Sequence, residues 1–179
     1  MNRLPVLYED SKAGMTPFGP HELAIACVAD ALNLDRYEIK KCFTDIPKKG
    51  DSKVREALRS DLSGEKVVVV FDLDRIRTCY QLPKTACKTQ ILNAIQREAA
   101  AARVVLIEQN MDDLVQVCRD LLGCPRFVTK PRPNERDATC QALAMKPALF
   151  PKLLEKMPTF ARLVRLLESH ASDSSRQVP

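Results

Sequence analysis

The sequence predicts an α/β fold: a mostly parallel sheet with flanking helices and a helical C-terminal extension. Three observations carry that prediction. The runs Lys66–Phe71 (KVVVVF) and Arg103–Ile107 (RVVLI) are almost continuously apolar, as strands buried on both faces of a parallel sheet are. Segments with helical spacing separate the strand candidates, so successive strands need crossover connections. Beyond the break at Pro125–Pro133 only helical patterns follow. Residues 1–125 therefore read as the core, 126–170 as the extension and 171–179 as a disordered tail.

Each element has its own signal. Leu4–Tyr8 is a short strand that starts at or near Pro5, the position where a strand tolerates proline. The loop SKAGMTPFGP is rich in turn residues. A helix opens near His21, with Pro20 at its entrance and Glu22 in its first turn. Tyr37–Thr44 reads as a short strand. Asp51 or Ser52 caps a helix through Leu58. Lys66–Phe71 is the central strand. Thr85–Ala102, alanine-rich with Ile91, Leu92 and Ile95, reads as a helix. Arg103–Ile107 is the last strand, and Asp112–Leu122 a short amphipathic helix. Three more helices are expected over Glu135–Ala144, Leu149–Met157 and Thr159–His170.

Composition narrows the classes. With 179 residues, 45% apolar and 28% charged, the chain is the size of one globular domain with a small appendage. The net charge of +5 permits a nucleic-acid partner without requiring one. There is no apolar run long enough for a membrane-spanning helix, and MNRLPVLYEDS lacks the apolar stretch of a signal peptide; a cytoplasmic protein is expected. Seven cysteines with no C-x-x-C spacing and only two histidines argue against a zinc finger or a disulfide framework, and for reduced thiols. No phosphate-binding G-x-x-x-x-G-K-[ST] loop occurs, so this chain is not itself an ATPase.

The most informative feature is where the acids fall. The first strand ends at Glu9 and Asp10, the central one at Asp72 with Asp74 two residues on, and the third at Glu108. Ligands of parallel α/β sheets sit at the carboxyl ends of the strands. Carboxylates converging there repel strongly in a desolvated cleft, and Mg²⁺ or Mn²⁺ would relieve that repulsion. Read as an extended segment, Asp72-Leu73-Asp74 presents both carboxylates to one side.

LPVLYE followed by VVVVFDLD resembles a TOPRIM domain, with a glutamate ending the first strand and Asp-x-Asp ending a later one. It is similar above all to small TOPRIM-like proteins encoded beside an ABC-type ATPase in bacterial defence cassettes, relatives of the overcoming-lysogenization-defect (OLD) nucleases. RVVLIEQNMDDLV and AMKPALFPKLLEKMPTFARLVRLL resemble the second half of that family. Asp10 stands where the family has glycine, and Glu22 is the candidate for its second acid. The resemblance implies an ATPase-gated, metal-dependent nuclease of anti-phage defence. Glu9 would be a metal ligand or general base, and Asp72 and Asp74 would hold the ion. Asp112 and Glu22 would help a second ion. Lys146 would stabilise charge at the scissile phosphate. Arg75, Arg77, Lys130 and Arg132 are the candidate nucleic-acid contacts; Lys48, Lys49, Lys53, Arg55 and Arg59 form a further basic stretch, and solvated helix faces are the commoner explanation for each of these.

Two other readings compete. FDLDRIR also resembles the nucleophile motif of haloacid-dehalogenase-type phosphatases, with Asp72 as nucleophile and Asp74 as acid/base. That motif usually opens its domain, whereas here a strand and a helix precede it. The third reading is a TOPRIM-like subunit that binds or regulates a partner without catalysis.

Overall fold

A computed structural model of the chain describes residues 3–9, 19–62, 64–107 and 111–175. In chain order the elements are β1 (Leu4–Glu9), α1 (Gly19–Leu32), α2 (Arg36–Lys41), β2 (Phe43–Lys48), α3 (Asp51–Arg59), β3 (Val68–Asp72) and α4 (Leu73–Cys79). There follow α5 (Lys88–Glu98), β4 (Arg103–Ile107), α6 (Met111–Leu122), α7 (Pro133–Ala144), a 3₁₀ turn (Pro147–Leu149), α8 (Phe150–Lys156) and α9 (Pro158–Ser175). By their contacts the residues form two compact units that interleave in sequence. One is drawn from residues 4–16 and 44–108, the other from residues 1–3, 17–43 and 109–179.

The first unit holds the sheet, with strand order β2-β1-β3-β4. β1 pairs parallel to β3, and β3 parallel to β4. The two apolar runs behave as their composition demands. Val69, Phe71, Val104 and Leu106 enter one core with Leu7 of β1, Val54 and Leu58 of α3, Ile76 of α4, and Ile91 and Ile95 of α5. Alternate residues point to the opposite face, and there Val6, Val68, Val70 and Val105 are buried too. Pro47 is tolerated in β2 because that strand lies at the sheet edge.

The second unit is all helix among the described residues that form elements within it. α1 packs on α7, α9 and α2, and α6 packs on α7 and α8. Helical spacing predicts one apolar face for α1, yet every residue from Gly19 to Ala29 except Glu22 is buried. His21 is buried among them. Cys27, Cys118 and Cys140 are buried as well. Burial, with lesser contributions from Cys118 and Asp30, pushes the Cys27 thiol up to about 12, so it acts as a small apolar side chain.

Several expectations need correction. Tyr37–Thr44 is not a strand: the Asp35 carboxylate accepts from the Tyr37 N–H at 2.7 Å and starts α2. The Lys41–Glu38 pair at 2.7 Å supports that helix. β2 begins only at Phe43. The helix over Thr85–Ala102 is shorter at both ends. The Gln90 side chain accepts from the Cys87 N–H and fixes the start, while Ala99 leaves helical geometry at φ −145°. Leu149–Met157 is divided between the 3₁₀ turn and α8, with Pro151 in the first turn of α8. α9 continues to Ser175, five residues into the expected tail.

Gly19 shows why α1 starts where it does. A Cβ there would lie 2.7 Å from the Asp137 Cα of α7, and the Gly19 N–H donates to Asp137 Oδ1 at 3.1 Å. Replacing Gly19 with alanine forces backbone against backbone. Overpacking of that kind costs ~1–3 kcal/mol, and at this chain length each kcal/mol moves the midpoint by ~2–4 °C. Gly19→Ala should therefore lower the thermal midpoint by ~3–10 °C. An unchanged melt would show that the α1–α7 approach is looser than described.

Candidate functional site

Strand register sets the first two members of the site. Val6, Leu7 and Tyr8 of β1 pair with Val68, Val69 and Val70 of β3. Glu9 and Asp72 consequently end neighbouring strands at one edge of the sheet. Asp72 is also the N-cap residue of α4, with extended backbone at φ −76° and ψ 124°. α4 begins at Leu73, so Asp74 stands in the first helical turn. The extended alternation expected for Asp72-Leu73-Asp74 thus stops at Asp72, because the helix starts one residue later. The side chain of Asp74 lies outside those described, and Asp10 and Glu108 lie outside the described residues.

A third carboxylate, Asp51, joins them, and the sequence reading treated it only as a cap. Gly50 makes this possible. Its φ of +91° is a conformation that L side chains rarely adopt, and it turns the chain from β2 into α3. Asp51 then opens α3, nine-tenths buried. Its carboxyl donates a hydrogen bond to Glu9 and also lies in the field of Asp72. Its Oδ1 is buried with no hydrogen-bond partner. Desolvation, then the charges of Glu9 and Asp72, push the Asp51 carboxyl up to about 7, with Arg75 opposing. Arg75, on α4, reaches Glu9 Oε1 at 3.1 Å.

Asp51 thus lies in the field of Glu9 and Asp72, with the Arg75 guanidinium on Glu9. The donor set is all oxygen, which suits a hard divalent cation. The orphaned Asp51 Oδ1 is the atom that such an ion would satisfy. Among the described residues, no group of three His, Cys, Asp or Glu side chains is arranged as a ready-made cation site. The proton and Arg75 carry the compensation in this arrangement.

The remaining candidates have other partners. Arg77 Nε donates to the Ala86 carbonyl at 3.0 Å and ties down the loop after α4. Glu22 pairs with Lys40 at 2.7 Å. Asp112 pairs with Lys130 at 3.1 Å and lies 3.8 Å from Arg136. Arg132 precedes α7, and its backbone N–H donates to Glu135 at 2.7 Å. Lys146 is exposed at the entrance of the 3₁₀ turn. Glu22, Asp112, Lys130, Arg132 and Lys146 all belong to the helical unit.

The rule that acids follow strand ends would have found Asp51 had β2 been placed correctly. With β2 ending at Lys48, Asp51 follows three residues on. A strand ending at Thr44 leaves it remote.

Asp51 also sets a pH dependence. Its carboxyl holds a proton up to about 7 in the folded chain and up to 3.8 ordinarily. Between those values the folded state binds more protons than the unfolded state. This contribution therefore falls as pH rises from about 4 to about 7, and the penalty is complete above that. Asp51→Asn removes the penalty. In chelator, the variant should be more stable than wild type at pH 8, by on the order of 1–3 kcal/mol after solvent screening, and little different at pH 4. Parallel pH profiles in chemical denaturation would contradict the cluster.

No protein-family model matches the chain, and no curated protein matches it. The chain is similar to a solved structure, the C-terminal region of the Xanthomonas campestris pv. campestris OLD protein. The two are 14% identical, with 95% of this chain and 94% of that chain covered, at a TM-score of 0.33.

Proposed function

We propose that this chain is a Mg²⁺- or Mn²⁺-dependent hydrolase of phosphodiesters, a nuclease of TOPRIM type. The observation that carries the reading is Asp51, buried in the field of Glu9 and Asp72 with one oxygen unpartnered. Folding has brought like charges together at a cost, at the sheet edge where α/β folds bind ligands. Glu9, Asp51, Asp72 and Asp74 would hold the cation. Bound there, the cation would supply a Lewis acid for the phosphoryl oxygen and an acidified water.

The chain's own groups do the rest. Glu9, which ends β1 beside Asp51, would accept the proton from an attacking water. Arg75 releases Glu9 for that task and offers its fork to the phosphate. Asp72, fixed by the end of β3 and the start of α4, holds its carboxylate on a rigid element. Glu22, Asp112 and Lys146 enter this reading on sequence resemblance alone. So do the ABC-type ATPase partner and the anti-phage role, which co-purification with that ATPase would test.

Plasmid, single-stranded DNA and tRNA, with bis(p-nitrophenyl) phosphate as a minimal phosphodiester, are the substrates to offer with Mg²⁺ or Mn²⁺. Wild type should cleave at least one of them, alone or with the ATPase. Asp72→Ala and Asp51→Asn should each lose on the order of 10²-fold or more, the scale of removing one charge-stabilising group. Saturating Mn²⁺ should raise the thermal midpoint of wild type and leave Asp72→Ala nearly unmoved. No cleavage and no Mn²⁺ shift would sink the proposal and favour a binding subunit.

A further inference from the structure

An open cleft of about 420 Å³ runs beside α3, lined by Ser52, Arg55, Glu56, Arg59, Ser60 and Cys79. Ser52 directly follows Asp51 in α3, and Cys79 of the lining lies in the field of Asp51, so the cleft lies close to the carboxylate cluster. Residues 51, 55 and 59 are one helical turn apart and share a face. At 1.5 Å per residue, Asp51 to Arg59 spans ~12 Å.

The cations in the cleft differ in how they are held. Arg55 is locked in place. Its fork meets Glu98 at 2.9 and 2.5 Å, its Nη1 donates to the Cys79 carbonyl at 2.6 Å, and its guanidinium lies 4.4 Å from the Tyr80 ring centroid. Its charge is thereby balanced by Glu98. Glu56, the acid on the rim, is satisfied by Lys53 at 2.5 Å. Arg59 is exposed and forms no ion pair among the described residues; it only shares the field of Glu98. It is the surplus positive charge of the cleft, and the Ser52 and Ser60 hydroxyls stand on either side of it along the helix.

We infer that this cleft is the track for the phosphodiester backbone of a nucleic-acid strand leading to the carboxylate cluster, with Arg59 as its principal phosphate contact. The inference rests on the proposed function for the direction of the track, but it concerns binding and is tested without turnover.

The test is fluorescence anisotropy of the full chain with labelled single-stranded and duplex oligonucleotides, DNA and RNA, in EDTA across a salt series. Arg59→Glu should weaken binding at least tenfold and make the slope of log K against log salt shallower by about one. Lys152→Glu, the same charge change on α8, should bind as wild type. Because Arg59 is exposed, its variant should melt with wild type. Equal binding by Arg59→Glu, or an equal loss in Lys152→Glu, overturns the inference, as does wild type binding no oligonucleotide. Its failure is separable from that of the proposed function. Cleavage of bis(p-nitrophenyl) phosphate without Arg59-dependent binding leaves the metal site standing and removes the track. Binding through Arg59 without cleavage by any metal does the reverse.

Discussion

Parallel pairing of β1 with β3 is the constraint on which the sheet unit depends. Both strands are buried on both faces, so neither can slide or flip without exposing valines. That register fixes where the strands end, and they end on Glu9 and Asp72. The same hydrophobic energy that builds the sheet therefore holds two carboxylates at one edge. Gly50 adds a third by turning Asp51 into the first turn of α3. The repulsion is met locally, by a proton on Asp51 and by Arg75. Such an arrangement is tolerated because the core behind it, from Leu7 to Ile95, is continuous and apolar.

Different parts of this structure were legible in the sequence to different degrees. VVVVF and RVVLI announce buried parallel strands because no other common environment suits so long an apolar run. The acids after them were legible for the same reason, since a strand end is visible as a change in polarity. Tyr37–Thr44 misled because its aromatic and β-branched residues fit a strand, while the Asp35 cap, two residues before the segment, decided for helix. Asp51 was hidden behind that error. The charges that act on it, Glu9 and Asp72, are far away in sequence, and no local pattern encodes that. Gly19 is similar: its need for a small residue comes from Asp137.

Asp72 shows how one residue serves fold and site together. As the last residue of β3 it is still paired, with Ile107 of β4. As N-cap of α4 it sits with extended backbone before the first helical turn. Either role alone accounts for an acid at this position. Both at once fix the backbone on each side of its carboxylate. The chemistry at the edge thus inherits its rigidity from a strand end and a helix start.

α3 carries the same ambiguity along its whole length. An acid in its first turn and an arginine in its last match the helix dipole, so its charge pattern looks structural. What separates function from capping is burial and partnership. A capping acid at a helix start is ordinarily solvated, and Asp51 is not. A C-terminal arginine on a structural face commonly finds a carboxylate, as Arg55 finds Glu98 one turn earlier; among the described residues Arg59 forms no such pair. The two residues that the dipole explains equally well are the two whose surroundings it does not explain, and they stand at the two ends of α3.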